Sequence, residues 1–272
     1  MGIPTSLTDL IARLRSLADP SQLEGMARFG IGVENALGGI GVPVLRKLAR
    51  EIGKNHRLAE ELWRSGIHEA RHLAAMIDEP VRVTEAQMER WVKQFDSWDV
   101  CDGCCLNLFD KTPFAFRKAT EWSRRKEEFV KRAAFSLMAV LAVHDKNLTD
   151  EKLEKLLSII KRESTDERNF VKKAVNWALR QMGKRNLRLN RAAIETAEEI
   201  RKIDSPSARW IAADALRELR SDAVQKRLQQ KRGLQSLNEL WDNPEDAVYD
   251  SWQKVYRPRP KRRQPSARTV AD

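Results

Sequence analysis

A short pattern recurs along this chain at intervals of about forty residues, and it constrains the fold more than any other feature of the sequence. Phe129-Val130-Lys131-Arg132-Ala133 and Phe170-Val171-Lys172-Lys173-Ala174 lie 41 residues apart and differ at one position. Ala178-Leu179-Arg180 returns 37 residues later as Ala215-Leu216-Arg217. Self-similarity at a near-constant period indicates that one supersecondary unit is stacked several times.

The repeated unit has the spacing of a helix pair. Apolar positions such as Val171, Ala174, Ala178 and Met182 share one side of a helix at 100° per residue. We therefore predict an all-α fold, a HEAT- or armadillo-like helical repeat stack that forms a curved solenoid. The predicted helices cover residues 7–17, 21–29, 43–52, 58–65, 67–77, 84–94, 97–109, 113–122, 126–143, 149–161, 166–182, 191–202, 205–219 and 221–229.

Charge is distributed unevenly along the 272 residues, and this distribution predicts three segments. Residues 1–232 carry 43 Lys and Arg against 33 Asp and Glu, so the predicted helical repeat domain is basic by itself. Residues 233–256 form an acidic linker with a short helix near 245–255, and residues 257–272 form a basic disordered tail. A basic folded domain favours nucleic acid as a partner, although a merely soluble basic protein has the same composition.

The sequence also bounds the setting in which the protein acts. It contains no apolar run of the roughly 18 residues that a membrane span requires and no secretory signal pattern at its start. Cys101, Cys104 and Cys105 crowd one helical turn, where they cannot link distant parts of the chain. We expect a cytoplasmic monomer without a membrane partner, and we expect these cysteines to pack in the core rather than to bind zinc.

A second stripe runs along the helix predicted at residues 166–182. Lys173, Trp177, Arg180 and Lys184 follow one another at the spacing of a single helix face. Cations beside a flat aromatic ring are suited to a polyanion whose sugar or base lies against the indole. The stripe therefore predicts a nucleic-acid contact surface. Four other tryptophans are expected to fill the core between helices, namely Trp63, Trp91, Trp122 and Trp210.

A third motif lies at the start of the helix predicted from Ser97. Trp98 and Asp102 are four residues apart, so an indole and a carboxylate project from the same side, and Ser97 is suited to cap the helix. Spacing alone leaves two interpretations open. The pair is either a functional site or an ordinary capped helix in which Trp98 is half-buried and Asp102 forms a salt bridge.

These motifs, taken in order, resemble the AlkD-type DNA alkylation repair proteins, HEAT-like helical glycosylases that excise N3- and N7-alkylated purines. The resemblance extends over most of residues 20–220. It rests on Met26-Ala27-Arg28-Phe29, Leu37-Gly38-Gly39-Ile40, Pro43, Ser97-Trp98-Asp99-Val100-Cys101-Asp102, Val130-Lys131-Arg132-Ala133-Ala134 and Lys173-Ala174-Val175-Asn176-Trp177-Ala178-Leu179-Arg180.

The resemblance implies a role for each matching residue and no cofactor. Trp98 and Trp177 match the tryptophans that flank the lesion nucleotide, Asp102 matches the catalytic carboxylate, and Arg132 matches a basic residue near it. Phe29 stands where active members can carry tyrosine. The implied partner is double-stranded DNA that contains alkylated bases, and the family acts without flipping the base into a pocket. The residues implied to contact the DNA are Phe29, Arg132, Lys173, Arg180 and Lys184.

Two further features leave alternatives open. His68-Glu69-Ala70-Arg71-His72 satisfies the His-Glu-x-x-His pattern of zinc peptidases, but His56 and His144 lie in no motif that would supply a third ligand. We therefore predict no metal site. The glycine-rich segment from Gly25 to Gly41 is either a mobile loop that approaches a ligand or an irregular connection.

Overall fold

The computed structural model describes residues 6–241, with side chains up to residue 232, and in this range the chain is helical without a β-strand. This confirms the all-α prediction. Short 3-10 turns lie at Pro20–Gln22 and Phe109–Lys111. The helices are α1 (Leu7–Leu17), α2 (Leu23–Arg28), α3 (Val42–Ile52), α4 (His56–Arg64), α5 (His68–Ile77), α6 (Glu85–Val92), α7 (Trp98–Asn107), α8 (Ala115–Trp122), α9 (Glu128–His144), α10 (Asp150–Glu163), α11 (Asn169–Gly183), α12 (Leu187–Arg201), α13 (Pro206–Leu219) and α14 (Asp222–Trp241).

Local sequence signals explain where many of these helices begin. The side chains of Asn55, Thr84, Asn186 and Ser205 each accept a hydrogen bond from a backbone N–H in the first turn of the helix that follows. Such caps satisfy donors that have no partner inside the helix. Ser97 differs from the prediction, because its hydroxyl makes no capping hydrogen bond at the start of α7.

The helices of the larger unit stack in two rows. Helices α5, α7, α9, α11 and α13 pack successively against one another, and α4, α8, α10 and α12 pack against this inner row. The repeated segments found in the sequence lie on neighbouring inner helices, α9 and α11. The inner row therefore places equivalent positions of successive repeats side by side.

Large aromatic side chains of α4, α6 and α8 fill the part of the core near these helices. The indole rings of Trp63 and Trp91 stack with centroids 4.0 Å apart, and Trp122 is equally buried. Each indole N–H donates to a Gln or Glu oxygen, so no polar atom of these rings is buried without a partner. The expectation for Trp210 was wrong, because this residue is 41% exposed, with Lys172 Nζ 5.7 Å from its ring centroid.

The glycine-rich segment is an irregular connection that is hydrogen-bonded to the inner row. Backbone N–H groups of Leu37 and Gly38 donate to the carboxylate of Glu69, each at 2.9 Å. The N–H of Gly32 donates to the Ser97 hydroxyl at 3.2 Å. Gly30 has φ +72°, and a Cβ there would lie 2.7 Å from the Phe170 ring, so only glycine fits this turn.

The end of the described region differs from the sequence prediction. Helix α14 continues to Trp241 rather than ending near Gln229. Contacts divide the chain into two compact units after Leu228. The short helix predicted near 245–255 and the basic tail at 257–272 lie outside the described residues. Within residues 6–241, none of the helices combines the length and the apolar character that crossing a bilayer demands.

Candidate functional site

Helices α7 and α9 bring Asp102 and Arg132 into a two-pronged ion pair. Arg132 Nε lies 3.0 Å from Asp102 Oδ1, and Nη2 lies 2.6 Å from Oδ2. The Ser136 hydroxyl, one turn further along α9, donates to Oδ1 at 2.6 Å. A carboxylate held by a guanidinium fork and a hydroxyl has a fixed plane and direction.

The two partners of this pair differ in exposure. The Arg132 side chain is only 7% exposed, whereas that of Asp102 is 19% exposed. The remaining guanidinium nitrogen, Nη1, donates to the carbonyl of Phe170 on α11 at 2.6 Å. Burial would lower the pKa of Arg132, but the charge and hydrogen bonds of Asp102 outweigh it and raise the pKa. The structure thus directs Arg132 inward and leaves the carboxylate partly exposed.

Trp98 stands beside this pair and is fixed at both ends. Its indole N–H donates to the carbonyl of Phe29 at 3.0 Å, and the Arg132 guanidinium lies 5.7 Å from its ring centroid. Phe29 itself is 76% exposed. An indole that is hydrogen-bonded at one edge and stacked near a cation can present a preorganised flat surface to a ligand.

Trp177 and Lys173 lie on α11, which also carries the Phe170 carbonyl that Arg132 binds. Trp177 is half-buried and packs against the core, while Lys173 is exposed. The structure therefore brings Arg132 to both Asp102 and the Trp98 ring, and it places Lys173 and Trp177 on the adjoining helix of the same row.

The remaining cations of the stripe are bound to carboxylates of α13. Arg180 Nη1 lies 2.6 Å from Glu218 Oε2 and 3.5 Å from Asp214 Oδ2, and Lys184 Nζ lies 2.7 Å from Glu218 Oε1. Burial would raise the pKa of Glu218, but the hydrogen bond from Lys184 and the nearby cations outweigh it and lower the pKa. These pairs compensate much of the positive charge that the sequence pattern suggested.

A second cluster, which the sequence did not predict, joins α5 to the first turn of α7. His68 Nε2 and His72 Nε2 lie 2.9 Å and 3.1 Å from the same oxygen, Oδ2 of Asp99. The other oxygen, Oδ1, accepts from the Ser97 hydroxyl. Burial opposes charge on His68 and on Asp99, but their contact outweighs it, so the pKa of His68 is raised and the pKa of Asp99 is lowered. The sequence signal for this cluster is the spacing of His68 and His72. Asp99 can be recognised as their partner only from the fold, which brings α7 next to α5.

The His-Glu-x-x-His match does not have the arrangement of a peptidase. Glu69 is 2% exposed, and both carboxylate oxygens accept backbone N–H groups of the glycine-rich segment. It therefore lacks the freedom that a general base needs to take a proton from a metal-bound water.

The three cysteines are structural. All are buried, and burial raises the pKa of Cys104 and Cys105 well above the usual range of a thiol. Cys101 and Cys105 direct their sulfur atoms toward carbonyls of α9, at 3.6 Å from Phe129 and from Ala133. The predicted core packing is confirmed, because all three cysteines are fully buried in the hydrophobic core.

With this geometry established, comparison with known proteins identifies the family. The model of the DNA alkylation repair enzyme family matches residues 10–219, most of the stacked helices. The chain belongs to the DNA alkylation repair enzyme family. This confirms the resemblance that the motifs indicated.

The chain is also similar to one curated protein and to one solved structure. An uncharacterized protein of Listeria innocua is 25% identical over 197 residues, which cover 71% of this chain and 86% of that relative. A solved structure, described as "a new family of proteins related to the HEAT-like repeat DNA glycosylases with affinity for branched DNA structures", superposes with a TM-score of 0.66 at 20% identity. It covers 79% of this chain and 96% of the other, and it shows that the fold of this family member is the predicted HEAT-like repeat stack.

Proposed function

We propose that this protein is a DNA glycosylase that hydrolyses the N-glycosidic bond of N3- or N7-alkylated purines in duplex DNA. The observation that carries the proposal is the Asp102 carboxylate, which is partly exposed beside Trp98 while Arg132 and Ser136 fix its direction. Membership of the DNA alkylation repair enzyme family supports the substrate class. In this proposal the protein acts as a cytoplasmic monomer.

The chemistry of the lesion explains why a single carboxylate is sufficient. An N3- or N7-alkylated purine carries a positive charge and leaves readily, so the reaction needs no strong general acid. As the bond between C1′ and the purine breaks, its electron pair neutralises the base, and positive charge develops on the deoxyribose. Asp102 would stabilise that charge and orient the water whose oxygen bonds to C1′, and the water's proton passes to Asp102 or to solvent.

The other residues of the site receive positioning roles. Arg132 is directed at Asp102 and the Phe170 carbonyl, so we assign it to holding the carboxylate rather than to a phosphate. The faces of Trp98 and Trp177 would lie against the cationic nucleotide, at about 0.5–2 kcal/mol for each ring. Lys173 would contact the backbone, and Arg180 and Lys184 would do so by exchanging Glu218 for phosphate.

A specific observation favours a second candidate, a module that binds damaged or branched DNA without cleaving it. Arg132 neutralises the charge of Asp102 within the protein. An ion pair of this kind can have a purely structural role, which is to join α7 to α9 without taking part in catalysis. The structural neighbour with affinity for branched DNA has the same fold.

Release of free base separates the two candidates. We expect 7-methylguanine or 3-methyladenine to be released from methylated duplex DNA, and we expect Asp102→Asn to slow release by about 10²–10³-fold, as for other preorganised electrostatic groups. Asp204→Asn, at an exposed aspartate paired with Arg209, is the matched control. Tight binding of four-way junctions without base release would support the binding module. Absence of any salt-dependent DNA affinity would rule out both.

A further inference from the structure

We propose that His68, His72 and Asp99 form a site for one divalent transition-metal ion of the zinc class, between α5 and the start of α7. This inference is independent of the glycosylase proposal, because it uses none of the residues assigned to the DNA. The three side chains offer one ligand atom each, and these atoms all lie within 4.8 Å of one another.

The geometry is close to what a tetrahedral ion requires. Both imidazole Nε2 atoms already converge on Asp99 Oδ2, at 2.9 Å and 3.1 Å. Ligand atoms bound at 2.0–2.2 Å around a tetrahedral zinc ion are separated by about 3.4 Å. Small rotations of the side chains would therefore open enough space for the ion to replace the two imidazole protons.

The surroundings of the cluster keep its ligands in place. The Ser97 hydroxyl donates to Asp99 Oδ1, which leaves Oδ2 directed at the histidines. Hydrogen bonds of this kind orient carboxylates that bind metals. Gly103 on α7 makes room for His72, because a Cβ at this position would lie 2.9 Å from His72 Nδ1. Two imidazoles and one carboxylate are a donor set that suits zinc and neighbouring divalent ions.

The site has access to solvent on one side. His68, His72 and Asp99 line a pocket of about 370 Å³, whose other walls include Met26, Ile31 and Leu45. Three protein ligands and an open side leave a coordination position for water or a small anion. Glu69 lines the same pocket, but its carboxylate is bound to the glycine-rich segment, so the site is not that of a peptidase.

Titration of the untagged full chain with Co²⁺ and Zn²⁺ tests the proposal. We expect one ion per chain, visible d–d absorption of Co²⁺ with the intensity of a low-coordinate site, and X-ray absorption of the zinc form that shows two imidazoles and no sulfur. Asp99→Asn and His72→Gln each remove a proposed ligand and should weaken binding by more than about tenfold, since loss of a residue that only orients a ligand already costs about 10–100-fold.

Matched controls distinguish this site from adventitious binding. His144→Gln removes an exposed histidine that pairs with Asp110 elsewhere in the fold, and it should leave stoichiometry and affinity unchanged. Circular dichroism reports whether each variant is folded. Less than a tenth of an ion per wild-type chain, sulfur ligation, or a cobalt spectrum that survives in folded Asp99→Asn would each overturn the proposal. If His72→Gln fails to fold, the stoichiometry and X-ray absorption of the wild-type protein still decide.

Discussion

The repeated segments of α9 and α11 have nearly the same sequence but make different contacts. Arg132 on α9 and Lys173 on α11 occupy equivalent positions 41 residues apart, and so do Ser136 and Trp177. On α9 both side chains turn to Asp102 of α7 and complete an internal pair. On α11 the lysine is exposed and the tryptophan half-buried. The neighbouring helix of the inner row, rather than the repeated sequence itself, therefore decides whether a residue stabilises the fold or remains available to a ligand.

This difference divides the proposed site into two parts. The α9 part has a positioning role, because Arg132 and Ser136 form hydrogen bonds within the protein that hold the Asp102 carboxylate. The α11 part is a contact surface, although Glu218 and Asp214 of α13 already bind Arg180 further along the same helix. Stability should therefore depend on the α9 positions, and DNA affinity should depend on the α11 positions.

The largest effect is expected from removing the buried cation. Arg132→Gln leaves the Asp102 carboxylate without its ionic partner in a largely buried place, which should lower the free energy of unfolding by about 3–5 kcal/mol. The equivalent change Lys173→Gln, at an exposed position, should stay within about 0.5 kcal/mol. Urea unfolding followed by circular dichroism measures both. Equal losses in the two variants would show that the contrast between α9 and α11 is wrong.

The next effect concerns the flat surface of α11. Trp177→Leu keeps an apolar side chain against the core but removes the ring, so affinity for methylated duplex DNA should fall by about 0.5–2 kcal/mol, the range for a cationic group on an aromatic face. Trp210→Leu, at an exposed indole on α13, is the control and should change affinity little. Fluorescence anisotropy measures binding. A larger loss of affinity in Trp210→Leu would show that the DNA contact surface lies on α13 instead.

A smaller effect separates the exposed cation Lys173 of α11 from Arg180, which is bound to carboxylates of α13. Lys173→Gln should reduce the slope of log affinity against log salt by about 1, which corresponds to one phosphate contact. Arg180→Gln should reduce the slope by less, because binding DNA must first displace Glu218. The titrations use one duplex at several salt concentrations. If Arg180→Gln has the larger effect, Glu218 does not hold that cation in the complex.

Local patterns in the sequence were sufficient for the helices, the stacked architecture and the family. Helical periodicity and the forty-residue repeat report on contacts that recur regularly, so the order of helices through α13 followed from them. The predicted core position of Trp210 is wrong, because its helix is long enough to have an outward face that composition does not identify. The predicted end of α14 near Gln229 is too early, because the apolar spacing weakens after Gly233 while the backbone remains helical to Trp241.

Contacts between distant helices were only partly accessible from the sequence. The spacing of Trp98 and Asp102 pointed to one side of α7, but it could not show that Asp102 faces Arg132, thirty residues away. The sequence could not identify Asp99 for the same physical reason, since its partners lie on α5, 27 and 31 residues earlier. The sequence predicts that Ser97 caps α7, whereas its hydroxyl donates to Asp99 and accepts the N–H of Gly32.

The smallest expected effect concerns acid stability and the carboxylate that compensates α11. The pKa of Glu218 is lowered in the folded protein, so its stabilising contribution is complete above pH 4.5, the ordinary pKa of a glutamate, and is lost as pH falls through the lower pKa of the folded state. Glu218→Gln should cost at most about 1 kcal/mol at neutral pH, since the pair is partly exposed. The difference in melting temperature between wild type and Glu218→Gln should therefore shrink below pH 4.5. Glu195→Gln, at an exposed glutamate on α12, supplies the baseline. A difference that grows with acidity would mean that Glu218 is not held as a carboxylate by Lys184 and Arg180, and the distinction between Lys173 and the compensated cations would then be wrong.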